Sequence, residues 1–182
     1  MQLPTRAKLW PTLISVLLTM AGCSQPSTKS PDVSSAVRQS LEQSGLKDVS
    51  VGQDRDKGVV TLGGHVASED AKSQAESIAK TMAAGQVVAN QIAVLPPGSE
   101  KMAKTVNSDL DKGIEKNLDA VLVANQLDSQ LKYEVKNRVV VLKGEVDSQA
   151  KRAQATALAA SVPNVDQVVN EIQVRNQKAT SY

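Results

Sequence analysis

The sequence contains no phenylalanine, one tryptophan and two tyrosines among its 182 residues. A core without aromatics must be built from Val, Leu, Ile and Ala, which suits small domains made of thin layers. The same shortage removes the stacking platforms on which single-stranded nucleic-acid binders lay their bases. Cysteine is almost missing too. The single Cys23 excludes an internal disulfide framework and any multi-cysteine metal site. An excess of one charge is also lacking: the net charge of +2 comes from Arg6 and Lys8 near the N-terminus, leaving 19 basic against 19 acidic residues. No basic stripe remains for DNA or RNA to recognise, so no nucleic-acid partner is expected. Finally, the apolar stretch from Thr12 to Ala21 is roughly ten residues, about half of what spans a bilayer.

What is present begins with that stretch. Arg6 and Lys8 give a positive start, Thr12 to Ala21 an apolar centre, and Met20-Ala21-Gly22-Cys23 an end, the layout of a cleaved export signal over residues 1–22. Trp10 lies inside it. A cysteine after small Ala21 and Gly22 resembles the bacterial lipobox, which implies that Cys23 becomes the first residue and carries acyl chains. Two or more such chains anchor a protein stably. The competing reading is a plain signal with an incidental cysteine. Ser24 after the cysteine implies the outer membrane under the enterobacterial sorting rule. Residues 23–31 then read as a polar Ser/Pro tether.

The rest of the chain repeats. Shifted by 80 residues, Val59 to Val94 aligns on Val139 to Val174 without a gap, with 13 identities in 36 positions. Two such copies make tandem domains and not a solenoid, which needs three or more units. Each copy opens on a helical period, Val33, Val37 and Leu41 in the first and Leu110, Ile114, Leu118 and Val121 in the second. Two alternating strands follow, Val49 to Gln53 and Lys57 to Val66 in copy one, with a shorter Lys136-Asn137-Arg138 turn in copy two. Ser68 and Ser148 stand as N-caps for Ala-rich second helices. Gly64 and Gly144 leave the strand face bare where a helix backbone could approach. A last strand runs from Val88 to Val94 and from Val168 to Val174. The expected class is α/β (α+β): two tandem α-β-β-α-β modules, each a three-stranded sheet with two helices on one face and the other face open. The boundaries read as 32–97 for the first module, 98–106 for a linker, 107–176 for the second module and 177–182 for a tail. Lys101 to Asn107 can extend the next helix backward.

The alternating Val/Leu strand with Gly, the Ser-capped Ala-rich helix and the closing Val-x-Asn-x-Ile-x-Val resemble the BON domain family. The residues concerned are Val59–Val66 with Val88–Val94, and Val139–Val146 with Val168–Val174. With the lipobox, the chain is similar to dual-BON outer-membrane lipoproteins. That resemblance implies a non-catalytic protein that binds phospholipid, anionic above all, on the periplasmic face of the outer membrane and supports its integrity under stress. It implies no cofactor beyond the acyl chains on Cys23. The alternative is a periplasmic adaptor that docks an envelope protein through open sheet faces or edges. The oligomeric state is left open.

Charge placement suggests where lipid would bind. Alternation puts Lys132, Lys136, Arg138, Val139, Val141 and Lys143 on the solvent side of the second hairpin, with Lys151 and Arg152 near the following helix start. Valines among cations suit a surface that meets phosphates while laying apolar area on lipid. Competing readings are a solvated strand face, diluted by Glu134 and Glu145, or a surface packed against copy one. The apolar loop Leu122 to Leu127 either inserts into lipid or closes the core, core being favoured. His65, Ser68 and Asp70 do not make a triad, because Ser68 is better used as a cap and copy two has Glu145 in place of the histidine. Gly63-Gly64 lacks the Lys-Ser/Thr of a phosphate loop, and Asp54 with Asp56 lacks the Gly and Glu of a calcium loop.

Overall fold

A computed structural model describes residues 29–175. The export signal, Cys23, most of the tether and the 177–182 tail lie outside the described residues. Two modules of the same architecture follow one another. The first contains α1 (Ser34–Gln43), β1 (Val49–Asp54), β2 (Val59–Val66), α2 (Glu69–Met82), β3 (Val87–Asn90) and β4 (Ala93–Val94). The second contains α3 (Glu100–Ala124), β5 (Leu131–Lys136), β6 (Val139–Val146), α4 (Gln149–Ala160), β7 (Gln167–Asn170) and β8 (Gln173–Val174). In each sheet the long second strand is central. It pairs antiparallel with its hairpin partner and parallel with the last strand.

The α+β class and the tandem arrangement are as expected. The last strand differs, because it breaks into two pieces around Gln91-Ile92 and Glu171-Ile172. The repeated asparagine explains the break. Asn90 Oδ1 accepts from Ile92 N at 3.4 Å, and Asn170 Oδ1 accepts from Ile172 N at 2.9 Å. Their amide nitrogens donate to the second helices, Asn90 to Glu76 Oε2 at 2.9 Å and Asn170 to Thr156 Oγ1 at 2.6 Å. Each asparagine therefore turns the chain and ties strand to helix, while the following isoleucine drops into the core.

Each module buries its helices on one sheet face. Val37, Leu41, Val60, Leu62, Ala75, Ala79 and Ile92 form the first core, and Ile114, Leu118, Leu122, Leu142, Ala155, Ala159 and Ile172 the second. Paired alanines on α2 and α4 are wholly buried, so small side chains set the short helix–sheet distance. Ser68 and Ser148 do cap these helices, accepting from Ala71 N at 3.2 Å and Lys151 N at 3.3 Å. Ser148→Ala is expected to cost about 1 kcal/mol, readable as a lower urea midpoint. An unchanged midpoint would mean that the cap contributes nothing.

Two local expectations need correction. The Leu122–Leu127 segment is no loop: α3 runs through Ala124, and Leu127 N donates back to Leu122 O at 2.9 Å around Gln126 at φ +57°. This is a helix stop that buries Leu122 and Leu127 and leaves Val123 outside. Gly64 and Gly144 serve the neighbouring strand and not a helix. At φ +85° and +128°, a side chain on either would run into the backbone carbonyl of Asp48 or Gln130, immediately before the hairpin partner.

Candidate functional site

The second sheet faces were expected to be open. They are not, because each module lays its outer face on the other. Val59 and Ala89 of the first module pack with Val139, Val141 and Val169 of the second. Val139 and Val141, placed on the solvent side from sequence, are 1% and 5% exposed. Burying those valines outweighs leaving them wet, since each fully buried side chain is worth about 1.5–3 kcal/mol.

Polar contacts frame this seam with near two-fold reciprocity. From the first hairpin turn, Lys57 Nζ reaches Glu171 Oε2 at the strand break of module two, 2.6 Å away. From the second hairpin turn, Asn137 Nδ2 donates to Gln91 O at the break of module one, 2.7 Å away. The Glu171 carboxylate accepts a hydrogen bond from Lys57 and raises that lysine above its ordinary pKa. Gln167 adds a contact with no counterpart. Its amide donates to Val88 O at 2.7 Å and accepts from Asn90 N at 3.0 Å, occupying the outer edge of β3.

The six cations proposed from sequence do not form one patch. Lys132, Lys136 and Lys143 rim the covered sheet face, and Lys143 pairs with Glu134 at 3.2 Å. Arg138 sits in the seam, 2.9 Å from Asp166 and 3.9 Å from Glu69. Lys151 and Arg152 belong to α4, in the helix layer on the opposite side of the sheet, and Lys151 pairs with Asp147 at 2.9 Å. The basic-apolar face therefore splits among a rim, a seam and a helix start.

A different surface carries exposed apolar area. Of the four large hydrophobic residues left exposed among the described residues, three lie on α3: Met102 at 73%, Val106 at 51% and Val123 at 54%. Helical spacing aligns Met102, Val106, Asp109, Gly113, Ala120 and Ala124 on one stripe with Val123 at its side, away from buried Ile114, Leu118 and Leu122. Lys112 and Lys116 lie beside that stripe, and Lys112 pairs with Asp109 on it at 3.5 Å. Most of residues 98–106, read as linker, belong to this helix. Its backward extension was visible in the sequence, but the outward direction of Met102 and Val106 was not.

Among the described residues, no helix is long and apolar enough to cross a membrane. Nor do three or more His, Cys, Asp or Glu side chains gather to hold a metal. Comparison with known proteins agrees with the repeat. A family model described as BON domain matches residues 30–96 and again 110–176. No curated protein matches the chain. Among solved structures, the C-terminal domain of CdsD, a structural protein of the Type III secretion system of Chlamydia trachomatis, aligns at 13% identity with a TM-score of 0.33. That alignment covers 78% of this chain and 66% of that structure. A second CdsD structure aligns at the same identity and TM-score, over 81% of this chain and 70% of its own length.

Proposed function

Because the chain belongs to the BON domain family, whose members are associated with phospholipid binding and envelope proteins, we propose that it is a lipid-anchored envelope protein that binds phospholipid surfaces without catalysis. In this reading Cys23 carries the acyl chains, the tether lets the modules stand off the bilayer, and the location is the periplasmic face of the outer membrane. The binding supports membrane integrity or stress tolerance.

The observation that carries the lipid reading is the exposed stripe of α3. Met102, Val106 and Val123 offer apolar area for the acyl boundary, and Lys112 and Lys116 stand beside them at headgroup level. At 25 residues the helix is about 37 Å long, enough to lie across several lipids. The rim lysines Lys132, Lys136 and Lys143 add attraction at longer range, whereas Arg138, Lys151 and Arg152 are less available for it.

The test uses acyl-free protein and vesicles of phosphatidylcholine with or without phosphatidylglycerol. Replacing Lys112 and Lys116 with Gln is expected to weaken binding to the anionic vesicles by about fivefold per lysine. Met102→Asp with Val106→Asp is expected to weaken binding to both kinds of vesicle. Reversal of Lys132, Lys136 and Lys143 is expected to have the smaller, salt-sensitive effect. Wild-type binding by both α3 variants would remove this helix as the lipid contact.

A further inference from the structure

The two modules share one strand register, so their differences at equivalent positions are informative. In a parallel pair, alternate residues of the last strand turn their N–H and C=O away from the central strand. In module one these are Val88 and Asn90, and the Gln167 amide occupies both. The equivalents in module two are Val168 and Asn170. Their outward N–H and C=O groups have no partner among the described residues, because the position matching Gln167 is Val87, which has no amide. Val87 is 48% exposed on β3, the strand that abuts β7. Unpaired edge groups are a template for another strand.

A second feature lies beside the same edge. Asn170 Nδ2 approaches Arg152 O at 3.4 Å, which puts Arg152 of α4 next to β7. The Nε of Arg152 is buried and has no hydrogen-bond partner among the described residues. The equivalent region of module one holds Lys72 with Glu69 and Glu76 close by, so acids are already supplied there. Module two has Gln149 and Thr156 at the matching positions.

We propose that the outer edge of β7 receives an extended segment of a partner protein by strand addition. The segment supplies an apolar side chain toward Val87 and an acidic side chain toward Arg152. The backbone of the incoming strand takes the two places that the Gln167 amide takes on β3, and the carboxylate answers the Arg152 guanidinium, whose Nε has no partner among the described residues. Strand addition of this kind draws affinity from main-chain hydrogen bonds and selectivity from alternate side chains. The site is separate from α3, so it stands or falls independently of lipid binding.

The probes are short synthetic peptides that alternate valine with glutamate, lysine or serine, titrated into the acyl-free protein and followed by amide NMR and calorimetry. The valine–glutamate peptide is expected to bind most tightly and to shift the Val168 and Asn170 amides. Val87→Gln copies the plug found on β3 and is expected to weaken binding about tenfold, the worth of two hydrogen bonds. Arg152→Gln is expected to abolish the preference for glutamate over lysine while leaving residual binding. Gln167→Val is expected to create a second site at β3. Shifts confined to other residues, or unchanged affinity in Val87→Gln, would overturn the proposal. Self-association abolished by Val87→Gln, with no peptide binding, would make a second copy the occupant and overturn the partner segment.

Discussion

Replacing Gly144 with alanine is expected to destabilise the second module by about 3 kcal/mol or more, among the larger effects one methyl group can have. Two costs combine. At φ +128° the residue lies in a region that side chains rarely adopt, worth about 1–3 kcal/mol. The added Cβ also meets the Gln130 carbonyl oxygen, and that oxygen cannot easily retreat because Glu145 N donates to it at 3.4 Å. Gly64 repeats the arrangement with Asp48 and His65, so Gly64→Ala is expected to cost as much in the first module. Gly113→Ala is the control. A Cβ there meets nothing within 4 Å, and alanine in place of glycine within a helix stabilises by about 1 kcal/mol. Urea denaturation of the three variants is therefore expected to move midpoints in opposite directions. A loss below about 1 kcal/mol for Gly144→Ala would show that the hairpin yields more easily than its hydrogen bonds suggest.

Asp111→Ala is expected to cost about 2–3 kcal/mol and to loosen the seam between modules. The second hairpin turns through Asn137 at φ +47° and Arg138 at φ +65°. Two consecutive left-handed residues make the tight turn that suits the twist of a hairpin, and the second is usually glycine. Arginine there costs about 1–2 kcal/mol. Asp111 of α3 offsets this with both oxygens, accepting from Asn137 N at 2.9 Å and Arg138 N at 2.8 Å. Without the carboxylate both N–H groups lose their acceptor. The turn also positions Asn137 on Gln91 and Arg138 between Asp166 and Glu69, so its loss reaches the first module. Hydrogen exchange at Ala89, Val141 and Val169 is expected to rise with the fall in stability. Asp111→Asn keeps one acceptor and is expected to lose about half as much. Equal effects of Ala and Asn would mean that charge, and not hydrogen bonding, supports the turn.

Asp111 also marks where sequence reading stops. It stands 26 and 27 residues from the amides it holds, among charged residues of a helix where any acid reads as surface. Copy one braces its longer turn locally, where Asp54 Oδ1 accepts from Asp56 N and Lys57 N at 3.1 Å and Gly58 takes φ +68°. The valines of the second hairpin show the same limit in another form. Alternation correctly separated Val140 and Leu142 from Val139 and Val141, but a strand pattern does not say what lies against each face. Both sets are buried, one under helices and one under the other module. That is why a basic-apolar surface expected to meet lipid became a rim around a domain contact.

Much of the local chemistry, by contrast, was legible. Helix periods, serine caps, the Ala-rich faces and the repeat at 80 residues depend on neighbours within a turn or a strand, and these interactions are the same wherever the segment ends up. They determine two α+β modules of one family. Tertiary structure alone decided that the modules press their outer sheet faces together, that Gln167 closes the outer edge of β3 while that of β7 has no partner among the described residues, and that Met102 and Val106 point outward. Those outcomes depend on groups far apart in the chain competing for the same contacts. The side chain that wins is chosen by which surfaces meet, and no local pattern records it.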